Sequence, residues 1–152
     1  MYHAIVRARL RCAFANVNRG DYDAVIAGFH PRLRHVFYGH HALAGIRQEM
    51  PETKLWYRRL ARVFPDLRFE IRAIALRGWP WDTIAMIEWV DHFTIDGKPA
   101  SNQGVHVLRL RWGKVVDLAI HCDTQKLAAL LQRKADAGLT EATAAPIGLP
   151  AV

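Results

Sequence analysis

Two carboxylates and one histidine carry the clearest capacity for acid–base chemistry in this sequence. Glu88 and Asp91 lie in Met86-Ile-Glu-Trp-Val-Asp-His-Phe93, and His106 lies in Gln103-Gly-Val-His-Val-Leu-Arg-Leu-Arg111. Both stretches read as strands, and the first is rich in β-branched and aromatic residues. Alternate side chains of a strand share a face. His106 therefore sides with Leu108 and Leu110 toward an interior, while Arg109 and Arg111 point away. Glu88 and Asp91 have opposite parity, so a regular strand turns only one of them inward. The face Ile87, Trp89, Asp91 is favoured, because Asn102 opens the next strand and can lie across from Asp91. The face Met86, Glu88, Val90 is the alternative. A buried carboxylate near His106 has a shifted pKa and can act as a base. The plain structural alternative for either acid is a cross-strand ion pair with Arg72, Arg109 or Arg111.

Other side chains could complete such a site. His35 and Tyr38 stand in Leu33-Arg-His-Val-Phe-Tyr38, again with opposite parity. Trp56, Tyr57 and Trp89 could line an apolar pocket for a ring-containing ligand, or simply fill a core or an interface. Trp79 and Trp81 flank Pro80 in a turn, where exposed indoles suggest a rim or a subunit contact. His40 and His41 are adjacent and point apart, with no acidic or histidine partner at helical spacing, so no metal site is expected. Cys12 and Cys122 are too far apart in sequence for a metal motif and read as reduced core thiols.

The elements that must position these residues follow from periodicity. Residues 3–18 have helical spacing, with Ile5, Val6, Leu10, Ala13, Phe14 and Val17 on one side. Asp21 can cap a short helix over 22–29. Residues 33–38 read as a short strand and 39–45 as a turn. A helix follows over 46–64, regular only from Pro51. Its expected buried stripe is Leu55, Leu60, Val63 and Phe64, with Trp56 and Tyr57 at the edges. Four strands then follow as a meander, 67–77, 83–95, 102–112 and 115–122. Asp96-Gly97 and Gly113-Lys114 are the strong turn signals. A last helix runs over 124–134 with Asp123 as its N-cap. This order predicts an α+β domain, with helices against one face of a curved, mostly antiparallel sheet. Residues 1–136 are expected to form that domain and 137–152 a flexible or draped tail.

Composition narrows the class. The chain has 152 residues, 51% hydrophobic and 23% charged, which suits one soluble domain with a real core. No apolar run approaches the roughly 20 residues of a membrane span. The N-terminus lacks the apolar core of a signal peptide, so a cytoplasmic protein is expected. The formal charge is +7, but the arginines are scattered and no nucleic-acid signature accompanies them. Neither nucleic acid nor membrane is expected as a partner.

The stretch from Gly39 to Glu70, GHHALAGIRQEMPETKLWYRRLARVFPDLRFE, resembles the middle of the SnoaL-like polyketide cyclases. Those belong to the nuclear-transport-factor-2-like (ketosteroid-isomerase-like) superfamily. The resemblance spans residues 3–135. It implies a cone-shaped fold, with the sheet wrapped around the long helix, the N-terminal helices closing the cone, and an apolar small-molecule pocket inside. It also implies proton transfer at carbon beside a carbonyl, without metal or cofactor. Val105, His106 and Arg109 match a V-H-x-x-R pattern whose histidine faces the pocket, which casts His106 as catalytic or ligand-orienting. Asp91 is the candidate base. A polar residue near the position of His35 contacts ligand in the cyclases, and Tyr38 could donate to an enolate oxygen. Trp56, Trp89 and Asn102 are further candidate contacts. The cyclases' proposed base, an aspartate, falls at Ile120 here, so this chain departs from the pattern at that point. A non-catalytic binding or assembly module of the same fold is therefore the alternative. The superfamily's habit implies a homodimer through the outer sheet face, where Val107, Ala119 and one face of 84–92 offer apolar surface.

Overall fold

The computed structural model describes residues 1–151. Val152, the end of the expected tail, lies outside the described residues. Four α-helices and six strands follow one another. They are α1 (Tyr2–Asn18), α2 (Tyr22–Ile26), β1 (Phe29–Phe37), β2 (Gly45–Arg47), α3 (Met50–Val63), β3 (Arg68–Trp79), β4 (Asp82–Ile95), β5 (Lys98–Arg111), β6 (Lys114–Cys122) and α4 (Thr124–Asp136). A short 3-10 turn at Thr140–Thr143 follows. The fold class is the expected α+β cone, a curved and unclosed sheet with helices on its inner face. No helix among the described residues is long and apolar enough to cross a membrane.

The sheet runs β2-β1-β6-β5-β4-β3. β3 to β6 form the predicted antiparallel meander, while β1 joins β6 in parallel. That pairing returns the chain to the far side of the sheet before α3. β2 was not legible as a strand, because three residues after a turn carry no period. It exists because His35, Val36 and Phe37 offer an edge to Arg47, Ile46 and Gly45. Gly45 has φ +118, and an added Cβ there would sit 2.8 Å from the Ile147 carbonyl. Only glycine lets the tail close over that edge.

Two bulges break the two-residue period of β3 and β6. The β3–β4 register slips between Ile71 and Ala73, so Ile74 and Leu76 continue the inward face and Ala73 is exposed. The β5–β6 register slips between Arg109 and Leu110, which leaves Val116 as the extra residue and turns Val115 inward. α3 also differs from expectation. Its buried side is Thr53, Trp56, Tyr57, Leu60 and Val63, and Leu55 is exposed. Trp56 and Tyr57 are one turn before Leu60 and one residue out of phase with Leu55, so the two aromatic rings form the stripe. Cys12, expected in the core, is exposed.

α1 lays Val6, Leu10 and Phe14 into the sheet, and α3 brings Trp56, Tyr57 and Leu60 from the other side. Phe14 meets Phe69 of β3 edge to face, with centroids 5.4 Å apart. The helices touch the rim of the curved sheet more than its centre, so the middle of the interior stays unfilled.

Candidate active site in the cone interior

The unfilled interior is a cavity of about 620 Å³. That is the range of ligand-sized clefts rather than of packing defects. Its walls are largely apolar, including Phe14, Leu60, Phe69, Leu108, Leu118 and Ile120. It opens between α1, α2 and the β5–β6 turn, where Ile5, Arg9, Trp112 and Lys114 are exposed and line it.

Of the residues singled out from sequence, His106, Asp91, Trp56, Trp89, Asn102 and Ile120 line this cavity. β4 buries Ile87, Trp89 and Asp91 and exposes Glu88, which selects the first of the two faces. Asn102 is the direct cross-strand partner of Asp91. The Asn102 backbone N–H donates to Asp91 Oδ1 at 2.6 Å, and the Asn102 side chain caps the strand end by donating to the Asp123 carbonyl. Asp91 is 9% exposed and pairs with no cation among the described residues. The arginines expected to neutralise it are engaged elsewhere, Arg109 with Asp82 and Arg72 with Glu70. Desolvation raises the Asp91 pKa to about 6, and the Asn102 hydrogen bond only partly offsets this. The nearby Cys122 thiol is pushed up to about 12 by the same burial and is not a nucleophile at neutral pH.

His106 is held by Trp89. The indole Nε1–H donates to His106 Nδ1 at 2.7 Å. An indole nitrogen can only donate, so Nδ1 must accept and the neutral ring carries its proton on Nε2. Desolvation lowers the imidazole pKa to about 3, so it is uncharged at physiological pH. Phe14 and Phe69 flank the ring at 5.3 and 6.0 Å. No protein group pairs with Nε2 among the described residues. His106 thus offers the cavity a neutral N–H donor.

His106 and Asp91 do not touch. Asp91 faces Asn102 and His106 faces Ile87, so four residues of β5 separate their rows, roughly 13 Å at strand rise. Trp89 stands between them. The expected carboxylate–histidine contact is replaced by two separate groups on one wall.

Two expected contacts are corrected. His35 faces inward but is fully buried and does not line the cavity. Trp56 and Tyr57 cover it, with the Trp56 centroid 4.5 Å away, and Arg47 Nε–H donates to its Nδ1 at 2.7 Å. Tyr38 takes the opposite face, as parity required, and stacks on His121 outside the cone at 4.9 Å. The residue that does present a hydroxyl to the cavity is Tyr57. Burial raises its pKa, so it is a phenol donor at all ordinary pH. Tyr57 was expected at the edge of the α3 stripe as a possible wall of the pocket, and it stands on the buried side instead. His41 Nε2–H donates to the Tyr38 carbonyl, Asp123 caps α4, and no metal-ligating cluster exists among the described residues.

A curved six-stranded sheet closed by helices around one apolar cavity defines a nuclear-transport-factor-2-like protein. The SnoaL-like domain family model matches residues 10–118, and the chain belongs to that family. No curated protein matches the sequence. Solved structures share the fold at low identity. A nuclear-transport-factor-2-like protein of unknown function from Burkholderia pseudomallei aligns at TM-score 0.70 and 20% identity, over 80% of this chain and 92% of its own. TerC, co-crystallised with polyporic acid, aligns at TM-score 0.67 and 19% identity, over 81% and 95%. A candidate polyketide cyclase from Xanthomonas campestris aligns at TM-score 0.58 and 15% identity, over 80% and 92%.

Proposed function

We propose that the cavity binds an apolar carbonyl compound and that the protein is a cofactor-independent isomerase, cyclase or dehydratase acting by proton transfer. The observation that carries this reading is Asp91, a desolvated carboxylate with no cation partner on the wall of an apolar cavity. A pKa near 6 leaves it ionised at neutral pH yet basic enough to take a proton from carbon. In the proposed step the C–H bond beside a conjugated carbonyl breaks and its proton passes to Asp91. The electron pair moves along the conjugated system to the carbonyl oxygen, where the His106 Nε2–H donates a hydrogen bond. Tyr57 is a second donor for the same oxygen or another on the ligand. Asp91 then returns the proton at a different carbon. The separation of the two groups selects an extended ligand. Trp56, Trp89 and Ile120 supply apolar contact, while Asn102 holds Asp91 in place.

The test is deuterium incorporation at carbon from D2O across a panel of hydrophobic conjugated ketones. Exchange is expected to rise with pH through about 6, to fall by about a hundredfold or more in Asp91→Asn, and to fall less in His106→Ala. Ligand binding without exchange in any panel member overturns catalysis. One observation favours that second reading, a non-catalytic binding module: Ile120 is buried on the cavity wall where the cyclase pattern expects an aspartate.

The proposal includes a homodimer, and a cytoplasmic one. Ala75, Met86, Val107 and Ala119 are successive cross-strand partners and form an apolar row across the outer sheet face. Met86 is 49% exposed on it. Light scattering at micromolar concentration should give twice the chain mass, and Met86→Glu should halve it. A monomeric wild type removes this part of the proposal.

A further inference from the structure

Nine large apolar side chains are exposed among the described residues, and five of them, Met1, Ile5, Trp79, Trp81 and Trp112, belong to one end of the molecule. The contacts there are explicit. Trp79 and Trp81 stack at 6.0 Å on the β3–β4 hairpin tip, and Trp112 of the β5–β6 tip lies 6.4 Å from Trp81. The Trp112 N–H donates to the Pro80 carbonyl at 2.6 Å and joins the two tips. Tyr2 bonds Thr83 at 2.6 Å, and His3 bonds the Gly78 carbonyl at 2.9 Å, so the start of α1 is fastened to the same place. Trp112 is 74% exposed and sits at φ 50, a left-handed conformation unusual for a bulky residue. The tight β5–β6 turn imposes that geometry, with Trp112 and Gly113 as its two left-handed residues, and so holds the indole out at the tip.

Charge complements the indoles. Arg9, Arg111 and Lys114 are exposed around Trp112, and none has a carboxylate partner among the described residues. The acid of these tips, Asp82, is held by both arms of Arg109 at 2.6 and 2.7 Å. The chain as a whole carries +7.

We propose that this end docks on an anionic lipid surface, with Trp79, Trp81 and Trp112 at headgroup depth and Arg9, Arg111 and Lys114 against the phosphates. Indoles prefer the membrane interface, and basic side chains add electrostatic attraction to anionic headgroups. Lipid fits better than a protein face, because the indoles stand on hairpin tips with free cations among them rather than on a flat apolar patch. The sequence led to no membrane partner, and no helix among the described residues is long and apolar enough to cross one. The chain rests on the surface. Ile5, Arg9, Trp112 and Lys114 also line the cavity mouth, so docking would present that mouth to the bilayer. If the cavity takes an apolar ligand, as proposed above, the ligand would enter from lipid. The docking itself does not depend on that reading.

The test uses the full chain with phosphatidylcholine vesicles, with and without phosphatidylserine. Sedimentation with the phosphatidylserine vesicles and a blue shift of tryptophan emission are expected. Trp79→Ser/Trp81→Ser/Trp112→Ser should lose the binding. Arg111→Glu/Lys114→Glu should weaken it by roughly tenfold or more while keeping the indoles, and raised salt should do the same. Asp91→Asn should bind vesicles as the wild type does, which separates this result from any failure of the catalytic reading. Absence of binding to either vesicle, or unchanged binding by the triple serine variant, overturns the proposal. A wild-type dimer that the triple variant breaks, without vesicle binding, assigns the patch to a second copy instead.

Discussion

Two inward histidines of this protein begin with the same local chemistry and end in different roles. His106 and His35 each accept a 2.7 Å hydrogen bond at Nδ1 from a side-chain N–H, Trp89 in one case and Arg47 in the other. Burial lowers the pKa of both, so both are neutral with the proton on Nε2. They differ in what Nε2 meets. Around His106 the helices leave the cavity, and the donor is available to a ligand. Around His35 the rings of Trp56 and Tyr57 close the space, and Nε2 is buried without a partner. The donor of the Nδ1 bond differs as well. Trp89 is a wall of the cavity, whereas Arg47 is a fully buried cation that ties β2 to the tail. Its guanidinium donates to the carbonyls of Ala44, Gly45 and Ile147 and lies over the Trp56 ring. The two sites lie two residues apart in register on either side of β6, yet one faces the cavity and the other ties the chain together.

Breaking the sealed pocket around Arg47 should cost most. Arg47→Met removes a cation whose donors satisfy three backbone carbonyls and His35, and nothing else in that pocket can replace them. A loss of about 3–5 kcal/mol in denaturant unfolding is expected. A cost below about 1 kcal/mol would mean that the pocket tolerates the change, and the contrast between the two histidine sites would fail.

Asp91 on the cavity wall should respond in the opposite direction. The folded-state pKa of Asp91 is raised, from 3.8 to about 6, so the folded protein holds its proton more tightly than the unfolded chain does. That disfavours folding above pH 6, where both states have lost the proton, and has no effect well below pH 3.8. Asp91→Asn keeps an oxygen for the Asn102 N–H and removes the charge. It should stabilise the protein by about 2 kcal/mol at pH 8 and by little at pH 3.5. Equal stability of the two proteins across that range would mean that Asp91 is not desolvated. A group that weakens the fold and is retained in a cavity fits a working residue better than a structural one.

The smallest change sharpens the comparison between the histidines directly. Trp89→Phe removes the indole N–H and should cost about 1 kcal/mol, the worth of one hydrogen bond. Nitrogen NMR should then show His106 losing its fixed Nε2–H tautomer while His35, held by Arg47, keeps its own. A fixed tautomer at His106 in the variant would mean that something other than Trp89 sets it.

Alternation alone placed Ile87, Trp89 and Asp91 on one face and His106 with Leu108 and Leu110, because β4 and β5 are long and regular between their turns. The family resemblance supplied the cone, which periodicity could not. The misreadings cluster where one residue of register matters. Arg72 and Val116 are inserted at bulges, and neither carries a local signature that separates it from an ordinary strand residue. Leu55 has the hydrophobicity of a core residue of α3 but not the phase, so Trp56 and Tyr57 move from the edges of the stripe to its centre.

The sequence by itself determined the order of the main elements and which side chains of β4 and of β5 share a face, since both follow from turn residues and a two-residue period; which face of β4 turns inward was decided by the fold. The sequence also carried the absence of an aspartate at position 120. Only the tertiary structure decided which inward side chains meet the cavity and which are sealed. His35 and His106 share parity, residue type and pattern. What separates them is how far α1 and α3 stand from the curved sheet, a distance set by ring volumes at positions remote in sequence. Packing between remote segments leaves no periodic trace in the sequence of either one.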